Sequence, residues 1–242
     1  MRRARFIAAA FAFVLFSAAQ RAGADPVAYD AFVKGAEAQR GLFTVWHKDG
    51  KIYLELAPSQ LEHDFVQTIV PASGLGGQGL VWGNTDHLPV ELLRFERAGN
   101  TVALIWPNPS FVAPGAPAAT LALARSFPRS IVALAPIAAL DEKSGDVVID
   151  AAPFLDDQLD LHGLLKDATH ASGEDAYTLD RERSYFGGVK AFPKNVVIEA
   201  LQAWTSPAQR LNDVPADPRN VQIRVVYNIA DPPTAGDGYV PR

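Results

Sequence analysis

The sequence predicts a mainly β (α+β) protein, an antiparallel β-rich module with an N-terminal helix and one or two further short helices. Three observations predict it. Apolar and polar residues alternate over many short runs, the period of half-buried strands. The 242 residues include 18 Gly and 18 Pro, a loop-rich profile that a helical bundle does not tolerate. The strand-like runs, about eight or nine of them, lack the regular strand–helix alternation of a parallel α/β fold. A closed barrel and a sandwich fit this pattern equally well.

The chain divides into residues 1–24, 25–70 and 71–242. Arg2, Arg3 and Arg5 form a basic start, Phe6 to Ala19 an apolar run, and Ala22-Gly23-Ala24 a small-x-small cleavage site. This is the pattern of a secretory signal peptide, and the run is too short for a comfortable membrane span. Export to the periplasm or beyond the cell is therefore predicted. Cysteine is absent, which excludes a lipid anchor, a disulfide scaffold, thiolate zinc, iron–sulfur ligation and thiol catalysis. The leader carries four arginines and no acid, so its removal takes the net charge from −5 to −9. No basic run remains to follow a phosphate backbone or an anionic bilayer, so neither nucleic acid nor a membrane anchor is expected.

Residues 25–70 read as a helix followed by a β-hairpin. Asp25 caps, Pro26 suits the first turn, Tyr29, Phe32, Val33 and Ala36 recur at helical spacing, and Gly41 ends the helix. The period then becomes two. Leu42 to His47 meets Lys51 to Leu56 across Asp49-Gly50, a type I′ turn signal. In that register Val45 opposes Leu54 and Phe43 opposes Leu56 on the core face. Trp46 opposes Tyr53, and Thr44 opposes Glu55, on the other.

Residues 71–242 read as a β-rich domain, free to pack as one unit with 25–70. Strands are predicted for Asp64 to Val70 across the boundary, then Val90 to Arg97, Thr101 to Trp106, Asp146 to Asp150, Val189 to Ala203 and Val221 to Ile229. Pro128 and Pro136 forbid one uninterrupted helix or central strand over Leu121 to Leu140. Phe154 to Leu165 reads as the second helix.

Candidate chemistry is sparse. Gly74, Gly76 and Gly79 spell G-x-G-x-x-G, but a dinucleotide site needs a helix at the third glycine, and Leu80 to Asn84 is strand-like. Asp156, Asp157 and Asp160 spell D-D-x-x-D, which on a helix places oxygen ligands on one face. The alternative is a solvated acidic helix start. His162, His170, Asp160 and Asp167 form a conceivable metal set. The remaining histidines, His47, His63 and His87, show no H-E-x-x-H spacing. Trp46, Trp82, Trp106 and Trp204 are either ligand platforms or core. No catalytic, cofactor-binding or metal-ligating residue is assigned.

Several segments in colinear order resemble the N-terminal half of a bacterial family of exported zinc-dependent metalloprotease-like proteins, a half described as two consecutive domains of unknown function. They are Gly41 to Val45, Lys51 to Leu56, Leu61 to Phe65, Arg94 to Arg97, Ala124 to Phe127, Asp180 to Ser184, Lys190 to Val196 and Tyr239 to Arg242. The family's extended zinc motif, H-E-x-x-H-x-x-G-x-x-H, occurs nowhere in residues 1–242. No zinc ligand or catalytic glutamate can therefore be transferred, and no cofactor is expected in this chain. Asp180 and Arg183 suit a turn or ion pair, and Phe192-Pro193 a kinked strand start.

The resemblance implies a non-catalytic module that packs against or regulates a downstream peptidase domain or protein partner. The alternative is a free-standing periplasmic binding module that holds peptide or glycan on exposed aromatics. A third possibility is a hydrolase with its own histidine–aspartate metal site. The first reading has a physical corollary: a module lacking its partner exposes an apolar surface or an unpaired sheet edge.

Overall fold

The structure, a computed structural model, describes residues 25–74, 90–109, 117–169, 176–207 and 217–233. Residues 1–24, the predicted leader, lie outside these residues. The first segment holds β1 (Val27–Ala28), α1 (Tyr29–Val33), β2 (Glu37–Gln39), β3 (Thr44–Lys48), β4 (Lys51–Leu56) and β5 (Asp64–Pro71). Then come β6 (Val90–Ala98), β7 (Thr101–Trp106), α2 (Pro117–Ser126), β8 (Ser130–Leu140) and β9 (Val147–Asp150). A 3₁₀ turn (Ala152–Leu155), α3 (Leu161–Thr169), β10 (Thr178–Phe192), β11 (Asn195–Thr205) and β12 (Asn220–Ala230) complete them.

The protein is mainly β. The strands join in one curled, antiparallel sheet of order β10-β11-β12-β5-β6-β7-β8-β9-β4-β3-β2, with short β1 pairing in parallel along β8. The hairpin register is the predicted one, Val45 against Leu54 and Trp46 against Tyr53, turned by Asp49 and Gly50 at φ 48° and 73°. Alternate residues of the strands point inward: Phe65 and Ile69 on β5, Phe95 on β6, Ile198 and Ala200 on β11, Tyr227 on β12. They fill one core that also includes Phe43, Leu54 and Ile149.

The two ends of the sheet are tied together. The Leu42 N–H donates to the Phe192 carbonyl at 2.7 Å, and the Gln39 side-chain oxygen accepts from the Ala191 N–H at 2.7 Å. Gly41 fits there because it has no side chain: a Cβ would stand 2.6 Å from the Phe192 oxygen. The sheet is thus a curled wall clasped at one point along its seam.

Three expected elements differ. The helix from Asp25 to Gly41 is confined to Tyr29–Val33, because Gly35 adopts φ +76° and Glu37–Gln39 pairs with β3. Val189 to Ala203 is two strands, not one: Pro193 and Lys194 form the turn between β10 and β11, where Phe192 pairs with Asn195. Phe192-Pro193 therefore starts a hairpin turn. Phe154 to Leu165 is not a continuous helix, since Asp160 at φ 55° separates the 3₁₀ turn from α3. Leu121 to Leu140 does break at Pro128, and Pro136 sits where β8 passes from pairing with β7 to pairing with β9.

The N-terminal helix covers the outer face of the hairpin. Phe32 makes edge contacts with Trp46 and Tyr53, at 6.2 and 5.0 Å between ring centroids. Lys48 stands over the Phe32 ring and donates to the Phe32 carbonyl. Glu55 accepts from both the Tyr29 hydroxyl and the Trp46 indole at 2.7 Å. Burial and this carboxylate hold the Tyr29 hydroxyl well above its ordinary pKa.

Candidate functional site

The acidic triplet takes structural roles. Asp156 pairs with Arg181 at 2.7 Å. Asp157 accepts from the Leu161 and His162 N–H groups at 2.8 and 3.0 Å, and Asp160 accepts from the Gly163 N–H at 3.2 Å. The latter two thus cap the start of α3. His162 Nδ1 lies 2.8 Å from the Tyr177 carbonyl oxygen. His47 and His63 are exposed on separate strand ends, and His63 is 3.9 Å from Asp231. His87, His170, Trp82, Gly76 and Gly79 lie outside the described residues. Among the described residues no three His, Cys, Asp or Glu side chains come together as metal ligands.

The described tryptophans face inward or are covered. Trp204 is 2% exposed, Trp46 lies against Tyr29 and Phe32, and Trp106 donates to the Gln67 side-chain oxygen at 2.8 Å. That last bond begins a buried polar chain that the sequence reading missed. Gln67 donates to Gln158 at 3.1 Å, and Gln158 donates to the Pro153 carbonyl at 3.0 Å. Nearby, Gln202 Nε2 and the Tyr227 hydroxyl both donate to the Asp156 carbonyl, at 2.8 and 3.2 Å. Burial pushes the Tyr227 hydroxyl far above its ordinary pKa. These side chains fasten the segment after β9 inside the curl, where Phe154 packs edge-on against Tyr227. A polar residue at an inward position, such as Gln67 between Phe65 and Ile69, is the signal that marks such a chain.

The Asp180 to Ser184 motif supports this plug. Between the pairs Asp180–Ala203 and Tyr185–Leu201, four residues of β10 stand against Gln202 alone, a wide bulge. Arg183 holds it through a 2.6 Å ion pair with Asp180, and Ser184 Oγ bridges the Asp180 carbonyl and the Ala203 N–H. The Arg183 contacts keep the Asp180 carboxyl below its usual range. The bulge delivers Arg181 to Asp156 and to the Ala152 carbonyl, the latter at 2.6 Å. The motif is thus a bulge that locks the plug.

Burial raises the Asp156 carboxyl above its ordinary pKa, against the pull of Arg181. A carboxyl raised in the folded state costs stability as pH rises from its unfolded to its folded value. Asp156→Asn is therefore expected to remove a downward slope of urea midpoint with pH beginning at about pH 4. A variant with the same slope as the parent would contradict this assignment. Asp180 and Asp217 act in the opposite sense and at lower pH: both are depressed by arginine partners, so their stabilisation is lost as pH falls.

Several large apolar side chains are exposed on α2, β8 and the turn between them. Ile131 and Leu134 on β8 are 62% and 55% exposed, Leu121 on α2 is 53% exposed, and Phe127 after it is 41% exposed. Four of the nine large exposed apolar residues among those described thus fall within Leu121–Leu134. In helix α2 itself, Ala118 to Ala122 are exposed and Leu123 is half-buried. A ten-residue helix is marginal without an apolar face packed on something. A charged ladder borders the patch: Asp64 takes Arg94 in a bidentate pair at 2.6 and 2.8 Å, and Glu96 pairs with Arg129. Phe95 between Arg94 and Glu96 is core, which accounts for the Arg94–Glu96 motif in structural terms.

Fold and surface together define a class: an antiparallel curled-sheet module with an internal polar plug and exposed apolar side chains on α2 and β8. Residues 86–234 match the family model described as a domain of unknown function (DUF5117), and residues 26–68 match a second, domain of unknown function (DUF5118). The chain belongs to the DUF5117 family, with a DUF5118 segment preceding it. No curated protein and no solved structure matches it significantly. No helix among the described residues is long and apolar enough to cross a membrane.

Proposed function

We propose that the chain is a non-catalytic module of an exported zinc-dependent metallopeptidase-like protein and that it packs against the catalytic domain or regulates it. The observation that carries this reading is the exposure of the large apolar side chains Leu121 on α2 and Ile131 and Leu134 on β8. An exposed apolar patch of this kind marks an interaction surface. The leader pattern at Arg2 to Ala24 supports export. Zinc would belong to the catalytic domain. The chain's own contribution is shape: a clasped sheet that holds α2 and β8 out to a partner.

Two measurements test this. The chain on its own is expected to bind a hydrophobic dye and to self-associate as concentration rises. The double variant Ile131→Glu/Leu134→Glu should stay monomeric and dye-silent with an unchanged melting temperature, since both side chains already face water. A parent chain that is monomeric and dye-silent at high concentration would remove the reading. So would a coding region without a zinc-binding motif beyond the codon for Arg242.

A further inference from the structure

Strand β11 pairs with β12 without interruption from Asn195 to Thr205, so its side chains alternate strictly between the two faces of the sheet. Val196, Ile198, Ala200, Gln202 and Trp204 form the inward row, and all five are buried. Gln202 and Trp204 are therefore neighbours on one face. Around them the interior polar groups are bonded within the protein: Trp106 to Gln67, Gln67 to Gln158, and the Tyr227 hydroxyl to the Asp156 carbonyl. Two atoms are not. Among the described residues, Gln202 Oε1 and Trp204 Nε1 are the buried side-chain atoms without a hydrogen-bond partner.

Turning the Gln202 amide over does not remove the deficit. Its Nε2 donates to the Asp156 carbonyl at 2.8 Å and to the Leu155 carbonyl at 3.4 Å, so an oxygen in that place would face two acceptors. Oε1 is thus fixed as an acceptor without a donor, and the Trp204 indole N–H is a donor without an acceptor. Each would lose its hydration on folding with nothing in return, a state that protein interiors avoid by means of a protein group or an ordered water. The two needs are complementary and neither group is ionised, which selects a small neutral molecule that both donates and accepts. Two bonds of about 2.8–3.0 Å span nearly 6 Å. Same-face neighbours on a strand are about 7 Å apart at the backbone, a gap within the reach of glutamine and tryptophan side chains.

We infer that the interior of the curl binds a structural water that donates to Gln202 Oε1 and accepts from Trp204 Nε1. It completes the bonding of the side chain that fastens Leu155 and Asp156 to the wall. Wall, water and plug are then one hydrogen-bonded unit. The site lies inside the sheet and does not depend on the α2–β8 surface.

Water-selective NOE and ROE spectra of the whole chain, labelled with nitrogen-15, test the inference. The Trp204 indole proton and the Gln202 amide protons are expected to show cross-peaks to water that differ in sign between the two experiments. That difference is the signature of a molecule that stays longer than the protein takes to tumble. Gln202→Met should abolish the cross-peak at the Trp204 indole while the indole signal itself remains. Trp204→Phe should lower by one the number of long-lived waters counted by oxygen-17 relaxation dispersion. Cross-peaks at both side chains of the parent support the site even where a variant fails to fold. A parent without the cross-peak at the Trp204 indole overturns it, whatever the variants do. So does an indole cross-peak of undiminished strength in Gln202→Met, or an unchanged count of long-lived waters in Trp204→Phe.

Discussion

Residues 86–234 expressed alone are expected to show no cooperative unfolding transition, although one family model spans them as a unit. The reason is sheet order. Strand β5, whose first five residues lie in the preceding family match, runs between β12 and β6 and pairs with both. Strand β4 from the same match pairs with β9, and β1 with β8. The two sequence families are thus interleaved in one sheet. Without residues 26–68 the core loses Phe43, Val45, Leu54, Leu56 and Phe65, each at most 1% exposed. Each large apolar side chain removed from a core costs about 2–5 kcal/mol, whereas a whole domain is stable by about 5–15 kcal/mol. The deletion therefore exceeds the stability available. Circular dichroism during thermal melting and limited proteolysis measure the outcome. A sharp melt with strand content retained would sink the argument. As a control, cleavage of the whole chain at a protease site inserted between residues 74 and 90 should leave the two pieces associated through the β5 pairings.

The sequence displayed the parts of this arrangement that depend on neighbours along the chain. The Asp49-Gly50 turn and the alternation from Val45 to Leu56 fix a hairpin because turn geometry and period agree within twelve residues or so. Pro128 marked the break between α2 and β8, and Pro136 a change of strand partner, each through its own local backbone constraint. What depended on distant partners was not legible. Glu37–Gln39 is too short to announce itself as a strand; it exists because β3 offers it an edge. The helical spacing of Tyr29, Phe32, Val33 and Ala36 continued past the point where Gly35 turns the chain. The bulge at Arg181 to Ser184 hid the first part of β10, since four residues against one destroy the period of two on which strand recognition rests. The exposed apolar side chains were legible only as composition: Leu121 to Leu140 reads as an apolar stretch interrupted by two prolines, and only the fold shows Ile131 and Leu134 on the water side.

The clasp on the seam yields the sharpest single-residue expectation. Gly41→Ala should destabilise the chain by about 2–3 kcal/mol, the cost of overpacking against atoms that cannot move aside. The added Cβ would lie 2.6 and 2.7 Å from the Phe192 carbonyl oxygen and backbone nitrogen, and 2.8 Å from the Ala191 Cβ. None of these is the end of a flexible side chain, so relief requires the β10–β11 turn to back away from Leu42. That movement breaks the Leu42 N–H bond to Phe192 and the Ala191 N–H bond to Gln39 together. Gly50→Ala provides the contrast. Its Cβ would meet nothing within 4 Å, but its φ of +73° carries only the left-handed penalty of about 1 kcal/mol. Urea denaturation of the two variants separates steric opening of the seam from local backbone strain. If the two lose the same stability within roughly 0.5 kcal/mol, the scale of a neutral surface change, the clasp contributes nothing and the sheet is held by its ladder alone. The expected gap between them, with Gly41→Ala also speeding amide exchange at Leu42 and Ala191, makes seam closure a measurable part of the fold's stability.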